Sequence, residues 1–289
     1  LHESILTYAR SLGANHTLKF TGVFATQSDL SNSNSISASG FPNDATRNEA
    51  LQLALNRTVS SGRSKQRLDS YMGRINYGFK DKYFIDVVAR VDGSSRFGAE
   101  NKYGFFSSSS ASWRVIQEPF MDNVKWISDF RIRGGYGITG NAGGISPYQS
   151  LSTVASVGSD YVFNNTYVTG INPTGIANPA LRWEKSKQAT LAVDLAFFKD
   201  RFSLQAEVYH KTTEDLLYIK TLPLSSGYTS ITGNFASLEN KGFELMANAR
   251  LSDGAVKWTV SANATINRNK VLDLDGGTTL ERFVTSYTV

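Results

Sequence analysis

A chain of 289 residues with a formal net charge of +5 and no cysteine has room for one large or two ordinary domains. It admits neither a disulfide framework nor a thiolate metal site, and its scattered basic residues argue against a nucleic-acid footprint. No run of roughly 18 apolar residues occurs, which excludes a helical membrane span but leaves open a membrane barrel, whose strands are only half apolar.

Taken in order, residues 4–11 and 15–26 read as a first pair of strands around Gly13 and Ala14. Residues 27–69 read as a long polar connection, in which Ala50, Leu51, Ala54 and Leu55 stand at helical spacing and predict a short helix over residues 44–56. Residues 70–98 read as a hairpin. Tyr71, Ile75, Tyr77 and Phe79 alternate with Met72, Arg74, Asn76 and Gly78, and past Lys80 and Asp81 the row Tyr83, Ile85, Val87, Ala89 and Val91 alternates with Phe84, Asp86, Val88, Arg90 and Asp92. Period-two alternation puts one apolar row on one face of an antiparallel pair.

Residues 103–115, with four consecutive serines at 107–110, form the least regular strand. Phe130, Ile132, Gly134, Tyr136 and Ile138 then alternate with Arg131, Arg133, Gly135 and Gly137, before a long loop over residues 140–182. Ala189, Leu191, Val193, Leu195 and Phe197 precede a turn at Lys199 and Asp200, and Phe202, Leu204, Ala206 and Val208 follow it. After a loop over 212–238, a last pair spans 243–251 and 256–267. There Val256, Trp258, Val260, Ala262, Ala264 and Ile266 alternate with polar residues throughout.

About ten strands result, with connections that alternate short (at Gly13, Asp81, Asp200 and Asp253, with a moderate one over 117–128) and long (27–69, 92–102, 140–182, 212–238). Short turns on one side and long loops on the other are the asymmetry of an outer-membrane barrel, with the turns expected on the periplasmic side. Ten residues rising about 3.3 Å each at a tilt near 45° span roughly 23 Å, close to the apolar band of about 25 Å. Tyr77, Phe79, Tyr83, Phe84, Trp113, Trp126, Phe130, Phe197, Phe198, Phe202 and Trp258 lie near short turns, where amphipathic rings suit a membrane–water interface. The fold class is therefore all-β, an antiparallel transmembrane β-barrel segment. The competing reading is a soluble or surface β-sheet carbohydrate-binding protein, which requires the apolar rows to pack in a core.

Little points to catalysis. Gly135, Gly137 and Gly140 match the dinucleotide spacing, but that motif must open a helix, and Asn141, Gly143, Gly144 and Pro147 follow instead. His2, His16 and His210 are too dispersed for a metal cluster, and Asp273 and Asp275 lack the spacing and closing glutamate of a calcium loop. The polar rows place Arg74, Arg131, Arg133, Glu207 and Glu244 towards a lumen. Tyr148, Tyr161, Phe163, Tyr167 and Tyr228 stand in the long loops as candidate ligand contacts, flat faces beside asparagine and serine that suit sugar stacking.

An ordered set of short strings resembles the SusC/RagA family of TonB-dependent outer-membrane transporters of Bacteroidota: RVDGSSRFG at 90–98, KYG at 102–104, SWR at 112–114 with EPF at 118–120, RGGYGITGN at 133–141, NPALRWE at 178–184, YHKTTEDLL at 209–217, LP at 222–223, SG at 226–227 and NKGFE at 240–244. The resemblance implies a barrel of about 22 strands closed by an N-terminal plug, no enzymatic activity and no cofactor. Implied partners are a SusD-like surface lipoprotein, the TonB–ExbB–ExbD complex acting through the plug region, and outer-membrane lipids, with glycan oligosaccharide or peptide as cargo. It implies structural roles for Arg90, Asp92, Gly93, Arg96, Phe97, Gly98, Asn141, Trp183, Glu184, Lys241 and Gly242. The stretch read here is expected to be part of the barrel domain, with plug, TonB box and terminal strand lying outside it. Ten strands alone would leave two unpaired edges in lipid, each unpaired group costing several kcal/mol. The polypeptide 1–289 expressed by itself is expected not to insert as a stable monomer; a closed, protease-resistant barrel from it would contradict the reading.

Overall fold

The computed structural model describes residues 1–45, 47, 49–156, 161–253 and 256–274. Among them, ten long strands form one antiparallel sheet: β1 (His2–Leu12), β2 (His16–Ser39), β3 (Asn56–Phe79), β4 (Tyr83–Ser94), β5 (Tyr103–Arg114), β6 (Ile127–Asn141), β11 (Glu184–Phe197), β12 (Phe202–Thr221), β13 (Ser230–Asp253) and β14 (Lys257–Leu274). Each pairs with its neighbour in that order. The connection between β6 and β11 carries four short strands, β7 (Thr153–Ser156), β8 (Tyr161–Phe163), β9 (Thr166–Val168) and β10 (Ile171–Gly175), which pair as β7 with β10 and β8 with β9.

The register unites the alternating rows into two continuous faces. One line of partners runs Leu12, His16, Phe79, Tyr83, Trp113, Ile132, Val193, Ala206, Leu245, Ala264. All but the histidine are apolar or aromatic. The line one residue away runs Ser11, Thr17, Gly78, Phe84, Ser112, Arg133, Ala192, Glu207, Glu244, Thr265 and is mostly polar. The first line starts at the turn end of β1 and finishes well inside β14. That progressive stagger is the shear by which tilted strands wrap into a barrel.

Exposure tells the two faces apart. On β4, Ile85 is 48% and Val87 43% exposed, while Phe84, Asp86 and Val88 between them are half-buried. On the polar face of β11, Ala192 is 1% exposed. Side chains crowd on a concave face and spread on a convex one, so the apolar rows point outwards and the polar rows inwards. The apolar rows do not form a core, which removes the soluble carbohydrate-binding reading of the sheet.

The short-turn end is rimmed by rings. His16 and Phe79 lie 4.8 Å apart, Phe79 and Tyr83 6.2 Å, Tyr83 and Trp113 6.3 Å, and Trp126 stacks on Phe197 at 5.5 Å. Glu118 ties this belt to the β5–β6 connection, accepting from Tyr83 Oη (2.6 Å), Trp113 Nε1 (3.1 Å) and Lys82 Nζ (3.2 Å). The Tyr83 hydroxyl, then the Trp113 N–H and Lys82, hold the Glu118 carboxyl below its ordinary range. The tight three-residue β3–β4 connection, residues 80–82, places Lys80 and Asp81 at φ 54° and 52°, and the Lys82 N–H closes it on the Phe79 carbonyl at 3.0 Å.

Three sequence expectations are corrected. The polar stretches at 27–39 and 56–69, and most of 212–238, are strand: β2 and β3 pair without interruption from His16–Phe79 to Ser39–Asn56, and the β12–β13 loop shrinks to residues 222–229. Above the apolar band a ladder needs paired backbone groups only, so serine- and asparagine-rich segments extend it with no alternating apolar signal. The helix expected over 44–56 is a single 3₁₀ turn, Leu51–Leu53, preceded by Ala50 at φ 59° with no side-chain cap; so short a helix lacks the bonds to offset its nucleation. The loop over 140–182 contains the two small hairpins. Gly135, Gly137 and Gly140 lie within β6, with no helix after them. The turn at residues 254–255 and the positions of Asp275 and Gly276 lie outside the described residues.

The two faces differ in tolerance. Val87→Arg, near the middle of the apolar band, is expected to cost about 2–4 kcal/mol, whereas Ser110→Arg, on the inner face and directly opposite Asp86, is expected to leave folding nearly unchanged. Refolding into lipid vesicles, scored by the heat-dependent gel shift of the full-length protein, checks the contrast.

Candidate functional site at the long-loop rim

At the long-loop end, several of the strings singled out in the sequence converge, while SWR and EPF lie at the opposite, short-turn end. Phe97, Phe106, Ile145, Leu181 and Trp183 form a buried cluster against which Leu68, Ile138, Ala142 and Leu217 pack. Phe97 and Leu181 are 1% and 0% exposed, and the Trp183 ring sits 4.8 Å from Phe97 and 5.4 Å from Phe106. Polar bonds surround this core. Trp183 Nε1 donates to the Lys102 carbonyl (3.0 Å), Gly98 N–H to the Leu181 carbonyl (3.1 Å) and Arg96 Nη1 to the Ala142 carbonyl (2.9 Å), while Arg96 Nε reaches Gln66 Oε1 (2.8 Å). Glu184 takes Asn141 Nδ2 on one oxygen (2.6 Å) and the Leu217 N–H on the other (2.7 Å).

Close approach explains the glycines here. A Cβ on Gly98 would stand 1.8 Å from the Pro179 carbonyl oxygen, and one on Gly140 would stand 2.1 Å from the Phe106 ring. Gly93 makes room for Tyr103 in the same way, and Gly242 for Tyr209 and the Ile266 carbonyl. Lower on the wall, buried Asp92 accepts Arg90 Nε on both oxygens at 2.7 Å. Lys241 pairs with Glu239 at 2.8 Å, and His210 Nε2 meets the same carboxyl group at 2.9 Å.

Sequence reasoning missed several members of this rim. Asn178 Nδ2 donates to the Thr232 carbonyl (2.8 Å), Asn234 Nδ2 to the Arg182 and Asp215 carbonyls (2.8 and 2.6 Å), and Arg182 Nη2 to Asp215 (2.6 Å). Asn178, Arg182 and Asp215 lie inside quoted strings, so the signal existed; Gln66 and Asn234 had none. Asp215, with the Arg182 guanidinium beside it, raises the arginine above its ordinary value.

Charged side chains of the polar rows pair with one another along the sheet. Arg74 Nε meets Asp86 at 2.8 Å, and Arg133 grips Asp194 through Nε (2.7 Å) and Nη2 (3.0 Å). Arg131 has Asp129 at 3.9 Å. Glu207 and Glu244 face each other directly across β12 and β13.

The loop aromatics separate by role. Tyr148 accepts the Lys65 N–H on its hydroxyl (2.9 Å), so it props the extension of β3. Tyr228 is half-buried in the β12–β13 loop, its N–H and carbonyl both tied to Ser226 Oγ. Phe163 and Tyr167 are 65% and 73% exposed, on a hairpin turned by Asn164 and Asn165 at φ 49° and 62°. Phe163 pairs with Thr166 and Tyr167 with Val162, so the two rings occupy opposite faces. The Tyr161 side chain lies outside the described residues.

The family of TonB dependent receptor-like β-barrels matches residues 3–286. The chain belongs to that family. It is similar to TonB-dependent receptor P3 of Formosa agariphila, with 36% identity over 96% of this chain and 28% of the relative, and to TonB-dependent receptor SusC of Bacteroides thetaiotaomicron, with 33% identity over 76% of this chain and 22% of the relative. Among solved structures it superposes on the RagAB peptide transporter at a TM-score of 0.82, with 27% identity over 95% of this chain and 30% of that one. The chain thus spans under a third of the length of each of these three proteins. It is a SusC/RagA-type, outer-membrane β-barrel portion.

In this TonB-dependent barrel, the rim cluster fixes the long loops to the wall. Removing Trp183 by alanine is expected to cost about 3–5 kcal/mol through the cavity it leaves, and Gly98→Ala about 1–3 kcal/mol through overpacking. Limited proteolysis of the full-length protein checks both, with cleavage expected first in residues 142–183.

Proposed function

We propose that this chain is part of the transport barrel of a TonB-dependent importer that takes glycan oligosaccharides across the outer membrane together with a SusD-like surface lipoprotein. The observation that carries the cargo class is the exposed Phe163–Tyr167 hairpin at the long-loop end, where two aromatic faces flank Asn164, Asn165 and Thr166. Flat apolar faces beside short amide and hydroxyl groups match the alternating apolar and hydroxylated surfaces of a sugar. The short turns then face the periplasm and the long loops the exterior, and the polar wall lines the path. Release follows when energy drawn from the TonB–ExbB–ExbD complex remodels the segment that closes the barrel.

A second reading is a peptide cargo. The likeness to the RagAB peptide transporter favours it, as does a wall carrying both Arg74 and Arg133 with carboxylates between them.

Binding of labelled oligosaccharides and peptides to the full-length protein separates the two. Phe163→Ala and Tyr167→Ala are each expected to cost about 1–2 kcal/mol of oligosaccharide affinity, roughly 5- to 30-fold. Peptide binding with no oligosaccharide binding selects the second reading. Uptake by intact cells is expected to stop when an uncoupler collapses the proton gradient; uptake indifferent to it would mark a passive pore.

A further inference from the structure

At the long-loop end the outward face of β3 changes from apolar to basic. The residues that share a face with Tyr71 and Ile75 continue as Asp69, Arg67, Lys65 and Arg63. Arg63, Lys65 and Arg67 are exposed, whereas Ser64 and Gln66 between them and Leu68 beside them are half-buried, so the cations point away from the lumen. Their β2 partners Asn32, Leu30 and Ser28 carry no charge. Asp69 accepts from Arg67 Nε at 3.0 Å and from Thr26 Oγ1 at 2.6 Å, while Arg63 and Lys65 have no carboxylate partner among the described residues. The backbone beneath the stripe is held by the loops, the Lys65 N–H donating to Tyr148 Oη and the Arg67 N–H to Ser95 Oγ, each at 2.9 Å.

Height gives the stripe its setting. Arg67 stands twelve residues along β3 from Phe79 in the short-turn belt, a rise of roughly 28 Å at about 3.3 Å per residue and a tilt near 45°. The apolar band is about 25 Å tall, so the cations begin where lipid head groups begin. Next towards the band, the Phe24 and Tyr71 rings lie 5.2 Å apart. Beneath them the same face opens into a groove of about 580 Å³ lined by Leu6, Gly22, Phe24, Tyr71, Gly73 and Phe105. Gly22 and Gly73 are cross-strand partners, and a Cβ on Gly73 would meet nothing within 4 Å.

We propose that this face holds one phosphate-bearing lipid of the exterior leaflet, its head group on Arg63, Lys65 and Arg67 and an acyl chain in the groove at Gly22 and Gly73. Guanidinium forks match phosphate oxygens through paired bonds. Successive cations on one strand face stand about 7 Å apart, so the stripe spans a head group rather than a single ion. A zwitterionic head group fits less well, because Asp69, the carboxylate of this face, is already engaged. A soluble anion would leave the groove unused, and continuity with the lipid-facing band favours a lipid over a protein partner. The proposal rests on the long loops facing the exterior, but its test needs neither cargo nor an energised membrane, so failed import and a failed lipid site are told apart.

The full-length protein in neutral detergent is titrated with lipid A, a phosphorylated glycolipid, and in parallel with phosphatidylcholine, and retained lipid is counted by native mass spectrometry. The parent is expected to retain lipid A and to release phosphatidylcholine. Arg63→Gln combined with Lys65→Gln is expected to weaken lipid A binding roughly 30-fold, with the heat-dependent gel shift unchanged. Gly73→Leu fills the groove with a side chain suited to lipid; it is expected to weaken lipid A binding too, and it carries the test should the double variant not fold. Equal retention of both lipids by the parent, or lipid A affinity unchanged in either folded variant, overturns the proposal. Displacement of lipid A by millimolar inorganic phosphate marks a soluble-anion site and overturns it as well. Loss of a co-purifying protein from the double variant, with lipid A still bound, assigns the face to that protein instead.

Discussion

Lipid offers no hydrogen-bond partner, so every backbone N–H and C=O that crosses it must be met by the neighbouring strand. That requirement dictates the rest of this molecule. It forces strand to follow strand in sequence order, because short turns are the simplest way to hand the ladder on. It also locks register, since a slip of one residue would turn an entire apolar row inwards. Apart from His16 at the rim, the line from Leu12 to Ala264 stays apolar and aromatic across ten strands because each strand had to satisfy both demands together.

Outside the apolar band the constraint relaxes and different physics takes over. Water can satisfy the backbone there, so β2, β3, β12 and β13 continue with serine, asparagine and threonine, and no alternating row marks them. Loops in water need an anchor of their own. Here it is the small core around Phe97, Leu181 and Trp183, reached from four separated stretches of chain and closed by carbonyls that Trp183, Gly98 and Arg96 donate to. The glycines at 98 and 140 act by absence of volume, since a methyl group at either would meet an atom already in place.

The wall between rim and turns is polar but not balanced. Arg74 with Asp86 and Arg133 with Asp194 are locally paired, whereas Arg114 with Arg131 and Glu207 with Glu244 stand like charge against like. An isolated sheet gains nothing from such pairs.

Much of this was legible in the residues alone, for a definite reason. Period-two alternation reports which side of a strand meets an apolar medium, so the rows around Tyr83–Val91 and Val256–Ile266 announced ten strands, their faces and the sorting of turns from loops. The ordered strings from Arg90 to Glu244 located the rim residues without revealing their contacts. What alternation cannot carry is anything set by pairing across the chain. The length of the polar extensions, the failure of the 44–56 helix, the prop of Tyr148 against Lys65, the opposite faces of Phe163 and Tyr167, and the juxtaposition of Arg114 with Arg131 depend on register between distant residues. Hydrophobic pattern determined the fold because burial is a property of one strand at a time. Tertiary structure decided the site, because hydrogen bonds and charge pairs are properties of two.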